Sequence, residues 1–334
     1  MRYPPVRHSH IVPASYLRNF AIAEMLAMRL IGDARPRDVS VRDAAVRTDF
    51  YRRERPDGSA IYDIEWSLSQ LEDSTAPLLR DLKARWPLSD ENKMRLAVFM
   101  GYQLVRGPRW KHLHETMTRE FIDEQRRAGR VQVDEEDDVT ADEVLDAAEK
   151  HLVGSTPRTT RMLNLAPKVA SVLGSMHWSL IEFRRPLIAT SDHPVVLWPI
   201  GTIARSPEPT PLRSGLLHTL EIRFPISPEL VLLMTWLDDC DTLMPLRGTR
   251  DHAANVNAFT VAEAERQWFH MPGSSPPIAS GRLLPISPSL IPPYDRVSAD
   301  SARRKRIGEL IQPRLGDSGL NQDVEIVKVA RPAG

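Results

Sequence analysis

The apolar periodicity of this chain changes once, near residue 185, and that change limits its fold class more than any other feature. Before it, Ile64, Leu68, Leu71, Leu78 and Leu79 lie on one helical stripe within residues 61–85, closed by Pro87. Ser89, followed by Asp90 and Glu91, N-caps a second helix that carries Met94, Leu96, Val98, Phe99 and Leu104 and stops at Gly107-Pro108. Pro108 suits the first turn of a third helix reaching Arg127, and two more are expected over residues 141–152 and 166–180. After the change, residues 195–198, the alternating 220–224, 230–236 and 324–329 read as strands, with a helix over 253–269 between them. An early strand over 25–30 is expected to join that sheet. Helices first and strands later predict an α+β fold, a helical N-terminal half packed against a mostly antiparallel sheet formed largely by the C-terminal half. One domain over residues 1–334 is expected; a subdivision would separate a mainly helical 1–185 from a strand-rich 186–334.

Composition narrows the function classes. Lys+Arg and Asp+Glu both total 44, so there is no overall charge to drive wholesale binding to nucleic acid or an anionic membrane, although a local basic groove stays open. Cys240 is the only cysteine, which rules out an intramolecular disulfide and a Cys-cluster zinc site. Residues 1–10 lack the apolar core of a signal peptide, and the most apolar window, 230–237, is too short to span a bilayer. A cytoplasmic location without membrane contact is expected. There is no Gly-rich phosphate loop, dinucleotide fingerprint or HExxH, hence no nucleotide cofactor motif. The proline-rich stretches 205–213 and 272–293 read as loops, the acidic run 134–138 as a solvated loop or helix start, and Arg303-Arg304-Lys305-Arg306 as a helix face. Trp66, Trp110, Trp178 and Trp198 are expected in the core.

The most distinctive string is His8-Ser9-His10-Ile11-Val12-Pro13-Ala14-Ser15-Tyr16-Leu17-Arg18-Asn19-Phe20. It resembles the opening signature HxHxVPxxYLxxF of the domain of unknown function 4238 family. Further pieces follow in the family's order: Asp49-Phe50-Tyr51, Glu65 to Glu72, Phe99 to Gln103 with Arg106 and Pro108, Thr190-Ser191-Asp192-His193-Pro194, Phe224-Pro225-Ile226-Ser227-Pro228, and Asn255 with Asn257. The departure is His193, where the family more often has asparagine. The resemblance implies a bacterial family of unassigned activity and supplies no chemistry of its own.

The candidate chemistry lies in these same pieces. His8 and His10, two apart in an extended segment, project to one side and form a candidate pair of ligands for one divalent metal ion; the alternative is that both bond carbonyls where the N-terminus docks. Glu65 and Glu72 are two helical turns apart, about 10 Å on one face. They could flank a site as ligand and general base, or pair with arginine. Arg106 and Arg109 sit at a helix break, suited to bidentate binding of a phosphate or carboxylate, or to a structural tie to Glu65 or Glu72. Asp192 is a further candidate, as a metal ligand or in a local turn. Ser191 lacks the glycines of a nucleophile elbow. Tyr16, Asn19, Gln103 and Arg109 are the candidate substrate-binding residues.

Two readings follow. In the first the chain is a hydrolase of a phosphodiester or similar ester, on a small molecule or nucleic acid. His8, His10 and one of Glu65, Glu72 or Asp192 would hold a metal that activates water, and Arg106 would stabilise developing charge. In the second it is a non-catalytic binding or interaction protein of a bacterial defence or toxin system, and the same residues form a structural network. A third, metal-free RNase reading rests on the spacings of Arg106 with His112 and Arg109 with His114, which resemble the motif of HEPN-type helical toxins.

Overall fold

The computed structural model describes residues 8–54, 59–133, 139–199, 216, 219–236 and 242–280. The chain opens on β1 (His8–His10), the helical turn α1 (Ala14–Leu17) and a 3-10 turn (Arg18–Phe20). The strands β2 (Met25–Leu30), β3 (Arg37–Ser40), β4 (Val46–Thr48), β5 (Arg53–Glu54) and β6 (Ala60–Ile61) come next. The helices α2 (Asp63–Arg80), α3 (Asp90–Val105), α4 (Pro108–Ala128), α5 (Ala141–Leu152) and α6 (Ser155–Gly174) follow. The later part holds β7 (His177–Glu182), β8 (Thr190–Ser191), β9 (Val196–Pro199), β10 (Thr219–Ser227), β11 (Leu230–Thr235), β12 (Leu246–Arg247), α7 (Arg250–Glu263) and β13 (Gln267–His270). The fold is α+β, with long helices in the first half and mostly antiparallel sheets built largely from the second. No helix among the described residues is long and apolar enough to cross a membrane.

Local chemistry accounts for the helix boundaries. Ser89 accepts the backbone N–H of Asn92 at the start of α3, and Thr140 and Glu143 form a reciprocal capping box on α5. Pro108 opens α4, which ends at Gly129 with φ 58°, a left-handed conformation that glycine adopts without a Cβ clash. The stripe on α2 faces inward, with Ile64, Leu68, Leu78 and Leu79 buried. Helices α3 and α6 approach closely at Gly101, where an added Cβ would lie 2.6 Å from the Ala166 carbonyl oxygen and 3.2 Å from the Ala170 nitrogen.

The strands form two larger sheets. The first has the order β12-β7-β11-β10-β9, antiparallel except for the β12–β7 pair. The second, β3-β2-β13-β8, is antiparallel throughout. The early strand Met25–Leu30 therefore pairs with late strands, but in a sheet separate from β7, β10 and β11. Short ribbons join β1 to β4 and β5 to β6. A single apolar cluster runs from Ile11 to Phe269, and within it the Tyr16 ring stacks on Phe224 with centroids 5.2 Å apart.

Two segments expected as single helices, 166–180 and 253–269, each hold a helix end and then a strand. Helix α6 begins earlier, at Ser155, tolerates Pro167 inside it and stops at Gly174; from His177 the chain pairs with β11. Helix α7 stops at Glu263, and residues 267–270 fill the place between β2 and β8. A four-residue apolar stretch is equally at home in a helix turn or a strand, and here a waiting strand edge decides. The helix expected over 61–85 ends at Arg80. Trp110 and Trp178 are buried as expected, whereas Trp66 is 49% exposed. Cys240, residues 134–138, 205–213, 303–306 and 324–329, most of 272–293 and the side chain of Trp198 lie outside the described residues.

Strand β10 carries a further surprise. An alternating strand reads as half-exposed, yet Glu221 and Arg223 are 0% and 1% exposed. They pair with each other, Arg223 Nε donating to Glu221 Oε1 at 2.7 Å, while Arg223 Nη1 donates to Asn255 Oδ1 of α7 at 2.8 Å.

The close approach at Gly101 yields a prediction. Gly101→Ala should lower the unfolding free energy by about 1–3 kcal/mol, because α3 and α6 must separate to admit the methyl group. Urea unfolding measures it, and unchanged stability would mean that the helices slide apart without cost.

Candidate functional site

Arg106, the residue that ends α3, is 1% exposed and gathers three parts of the chain. Its Nε donates to the Ile11 carbonyl at 2.9 Å and its Nη2 to the His10 carbonyl at 3.2 Å. Its Nη1 donates to Glu72 Oε1 on α2 at 2.7 Å. Its own carbonyl accepts from Tyr51 Oη at 3.1 Å. Of the two roles open to this arginine in the sequence, the structural tie to Glu72 is present. A cation bonded this way is held by charge-assisted contacts that offset its desolvation.

Beside the tie lies a polar cluster on β1 and α2. Ser9 is buried, His8 is exposed and His10 is partly exposed, so the two imidazoles leave the same side of β1 while the serine points inward. His10 Nε2 lies 3.0 Å from the Arg42 carbonyl. A carbonyl only accepts, so Nε2 carries the proton and Nδ1 presents the lone pair of the neutral ring. Burial lowers the pKa of His10, and the nearby Glu72 carboxylate offsets part of the fall. Burial raises the pKa of Glu65, against the opposing pull of Ser9 and Arg106. The Ser9 hydroxyl is close enough to favour the charged carboxylate, but the approach falls short of a well-formed hydrogen bond. Ser9 Oγ and Glu65 Oε1 are both buried without a partner among the described residues.

The other candidates are placed elsewhere. Asp192 Oδ1 accepts the backbone N–H of Glu265 at 2.8 Å, and Oδ2 accepts those of Arg266 and Gln267 at 2.9 and 3.0 Å. This carboxylate thus shapes the turn into β13, and burial raises its pKa despite the three donors. Ser191 Oγ donates to the His193 carbonyl and accepts the His193 N–H, a closed local turn. Tyr16 Oη donates to the Pro225 carbonyl at 2.7 Å and accepts from Thr190 Oγ1 at 2.6 Å, and Asn19 Nδ2 donates to the Ile226 carbonyl at 3.2 Å. Both side chains fasten the α1 segment to β10. Arg109 pairs with Glu263 at the end of α7. Gln103 is buried with neither amide atom hydrogen-bonded among the described residues.

Of the histidines in the RNase reading, His114 is buried and pushed down to about 4 by burial and by Arg161 and Arg158, while His112 is exposed. No group of three or more His, Cys, Asp or Glu side chains among the described residues is placed to hold a metal ion. Sequence reasoning passed over Ser9, although it lies inside the signature string, and Tyr51, although its motif was in view. Arg158 gave no signal. It stands on α6, 7% exposed, with its guanidinium over the Phe50 ring at 4.8 Å and bonded to the Phe50 carbonyl.

Two measurements check this description. Arg106→Met leaves Glu72 and two carbonyls without their donor and should cost about 3–5 kcal/mol in urea unfolding; a loss below about 1 kcal/mol would show that water replaces the guanidinium. Burial, with Arg109 nearby, pushes His193 down from 6.5 to about 3. Below pH 6.5 the unfolded chain therefore binds a proton that the folded chain refuses, and stability falls on acidification by up to about 1.4 kcal/mol per pH unit. His193→Asn should flatten that acid slope, and an unchanged slope would place the titration elsewhere.

No curated protein and no solved structure matches the chain. The profile of one family, described as protein of unknown function (DUF4238), matches residues 8–274. The match spans every element from β1 to β13, and the chain belongs to the DUF4238 family.

Proposed function

We propose that this protein is a hydrolase of a phosphodiester or similar ester, with His10 and Glu65 as its acid–base pair. The observation that carries the reading is Glu65, whose carboxyl is raised in pKa by burial and has an oxygen without a partner, next to the signature segment. Hydrolysis needs one group that takes a proton from water and another that gives one to the departing oxygen. His10, whose pKa is lowered by burial and whose Nε2 is oriented by the Arg42 carbonyl, suits the first role. Glu65, which keeps its proton to a higher pH than an exposed glutamate, suits the second. Glu72 neutralises Arg106 and holds His10 in a negative field, so its part is positioning. In the metal-dependent form of this reading, His8 and His10 would bind one divalent ion, beside Glu65 or Glu72.

The test uses purified full-length protein against a panel of phosphodiesters and small esters. His10→Asn and Glu65→Gln are each expected to lower kcat by about 10²–10⁴-fold, with unfolding midpoints near that of the parent. The pH–rate profile should be bell-shaped, and Glu65→Gln should remove its alkaline limb, where the acid loses its proton. Parent-like turnover by either variant would refute the assignment. Elemental analysis of the parent beside His8→Ala/His10→Ala decides the metal-dependent form: metal present in the parent and absent from the variant supports it.

A second reading has an observation in its favour. Arg106, Asp192, Tyr16 and Asn19 all bond main chain, as expected of a network that holds a non-catalytic binding protein together. Inactivity of the parent across the panel, together with a partner co-purifying from a bacterial host, would favour it.

A further inference from the structure

Arg106 also lines a partly open cavity of about 10 Å³ between α4, α6 and the Phe50-Tyr51 turn. That volume admits about one water molecule. Arg158 lines it. Arg158 is 7% exposed as a residue, and the partners of its guanidinium among the described residues are the Phe50 carbonyl and the Phe50 ring. No carboxylate among the described residues is within ion-pairing distance, although Glu115 acts on it through space. A buried cation is normally paired, so an anion is the missing element of this cavity.

Other groups at the cavity point the same way. Trp110, 5% exposed, lines it, and the buried Nε1–H of its indole has no hydrogen-bond partner among the described residues. Gly107 also lines it and precedes α4 without a capping side chain, which leaves the positive end of a 21-residue helix uncovered. Arg158, Trp110 with its unanswered indole donor, and the first residue before α4 thus line one small cavity. Arg106 contributes little further charge because Glu72 already neutralises it.

We propose that this cavity is a phosphoryl-binding site, in which one oxygen of a phosphate enters between Arg158 and Trp110 and the remainder of the group sits at the mouth. The ligand is either free phosphate or a phosphate monoester, since both present the same terminal oxygens. The site stands independently of the hydrolase reading, because it concerns binding and uses neither His10 nor Glu65.

The experiment titrates ¹⁵N-labelled full-length protein with inorganic phosphate and follows the tryptophan indole N–H resonances. Trp110→Phe keeps the ring in the core and identifies the Trp110 signal by its absence. The expected result is a saturable shift of that signal which chloride at equal ionic strength does not reproduce. Arg158→Lys should weaken phosphate binding by about tenfold or more, and Trp110→Phe should similarly reduce the stabilisation that phosphate gives in thermal unfolding. A phosphate monoester that binds more tightly than the free ion would identify the esterified group as the ligand, and the reverse order the free ion. A Trp110 signal unmoved by phosphate, or moved alike by chloride, overturns the site. So does phosphate stabilisation of Trp110→Phe equal to that of the parent. Each of these overturning results can be read without any catalytic activity.

Discussion

The buried guanidinium of Arg106 is the contact on which the arrangement of the first half depends. A single side chain holds the chain at the end of β1, at the successive carbonyls of His10 and Ile11, and the carboxylate of Glu72 on α2, while Tyr51 bonds the carbonyl of the same arginine. Lysine could not do this, since its ammonium lacks the planar fork that meets acceptors in several directions at once. The signature segment is too short to bury itself, and among the described residues β1 has only β4 as a strand neighbour. The arginine ties it to α2 and α3, while Tyr16 and Asn19 fasten its later part to β10. Arg106 and Glu72 act on both Glu65 and His10, while Ser9 reaches Glu65 from the inner side of β1.

The second half is held by analogous devices at other places. Asp192 gathers three consecutive N–H groups and turns the chain into β13. Asn257 accepts from the Ala189 N–H at 2.9 Å and donates to the Leu187 and Pro277 carbonyls at 2.7 and 2.8 Å, fixing α7 beneath β8. Glu221 and Arg223 balance each other under the same helix. In each case a polar side chain meets backbone or an opposite charge in the interior, where an unmet group would cost about 1–3 kcal/mol. Among the exceptions to this pattern are Glu65 Oε1, Ser9 Oγ, the Gln103 amide and the indole nitrogen of Trp110.

Much of this was visible in the sequence, and what was hidden has physical causes. The start of α3 was legible because Ser89 with two following acids is a local signal, and the family because its pieces keep order and spacing. The strands at 177–182 and 267–270 were not, since His177 to Leu180 and Gln267 to His270 extend helical patterns without a break; only pairing with β11, and with β2 and β8, makes them strands. The split of the strands into two sheets was hidden for the same reason. Around the candidate site, the sequence offered the right residues without their directions. It could not show that Asp192 turns its oxygens onto backbone, or that Arg106 faces Glu72. Arg158 was invisible because nothing near it in the chain announces a buried cation: its ring partner is Phe50, over a hundred residues earlier.

The pairing of β2 with β13 has a bearing on how the protein is made. Leu30 is opposite Gln267, so during synthesis at roughly 5–20 residues per second β2 leaves the ribosome some 10 to 50 s before its partner exists. Through that interval one edge of β2 has only water or another chain to bond. Strand β3 covers the other edge early, and the charged side chains of Arg29 and Arg37 on this ribbon discourage stacking between nascent copies. Yield in a fast-translating host should therefore be governed less by the stability of the finished fold than by the protection of one strand while the rest of the polypeptide is still being assembled.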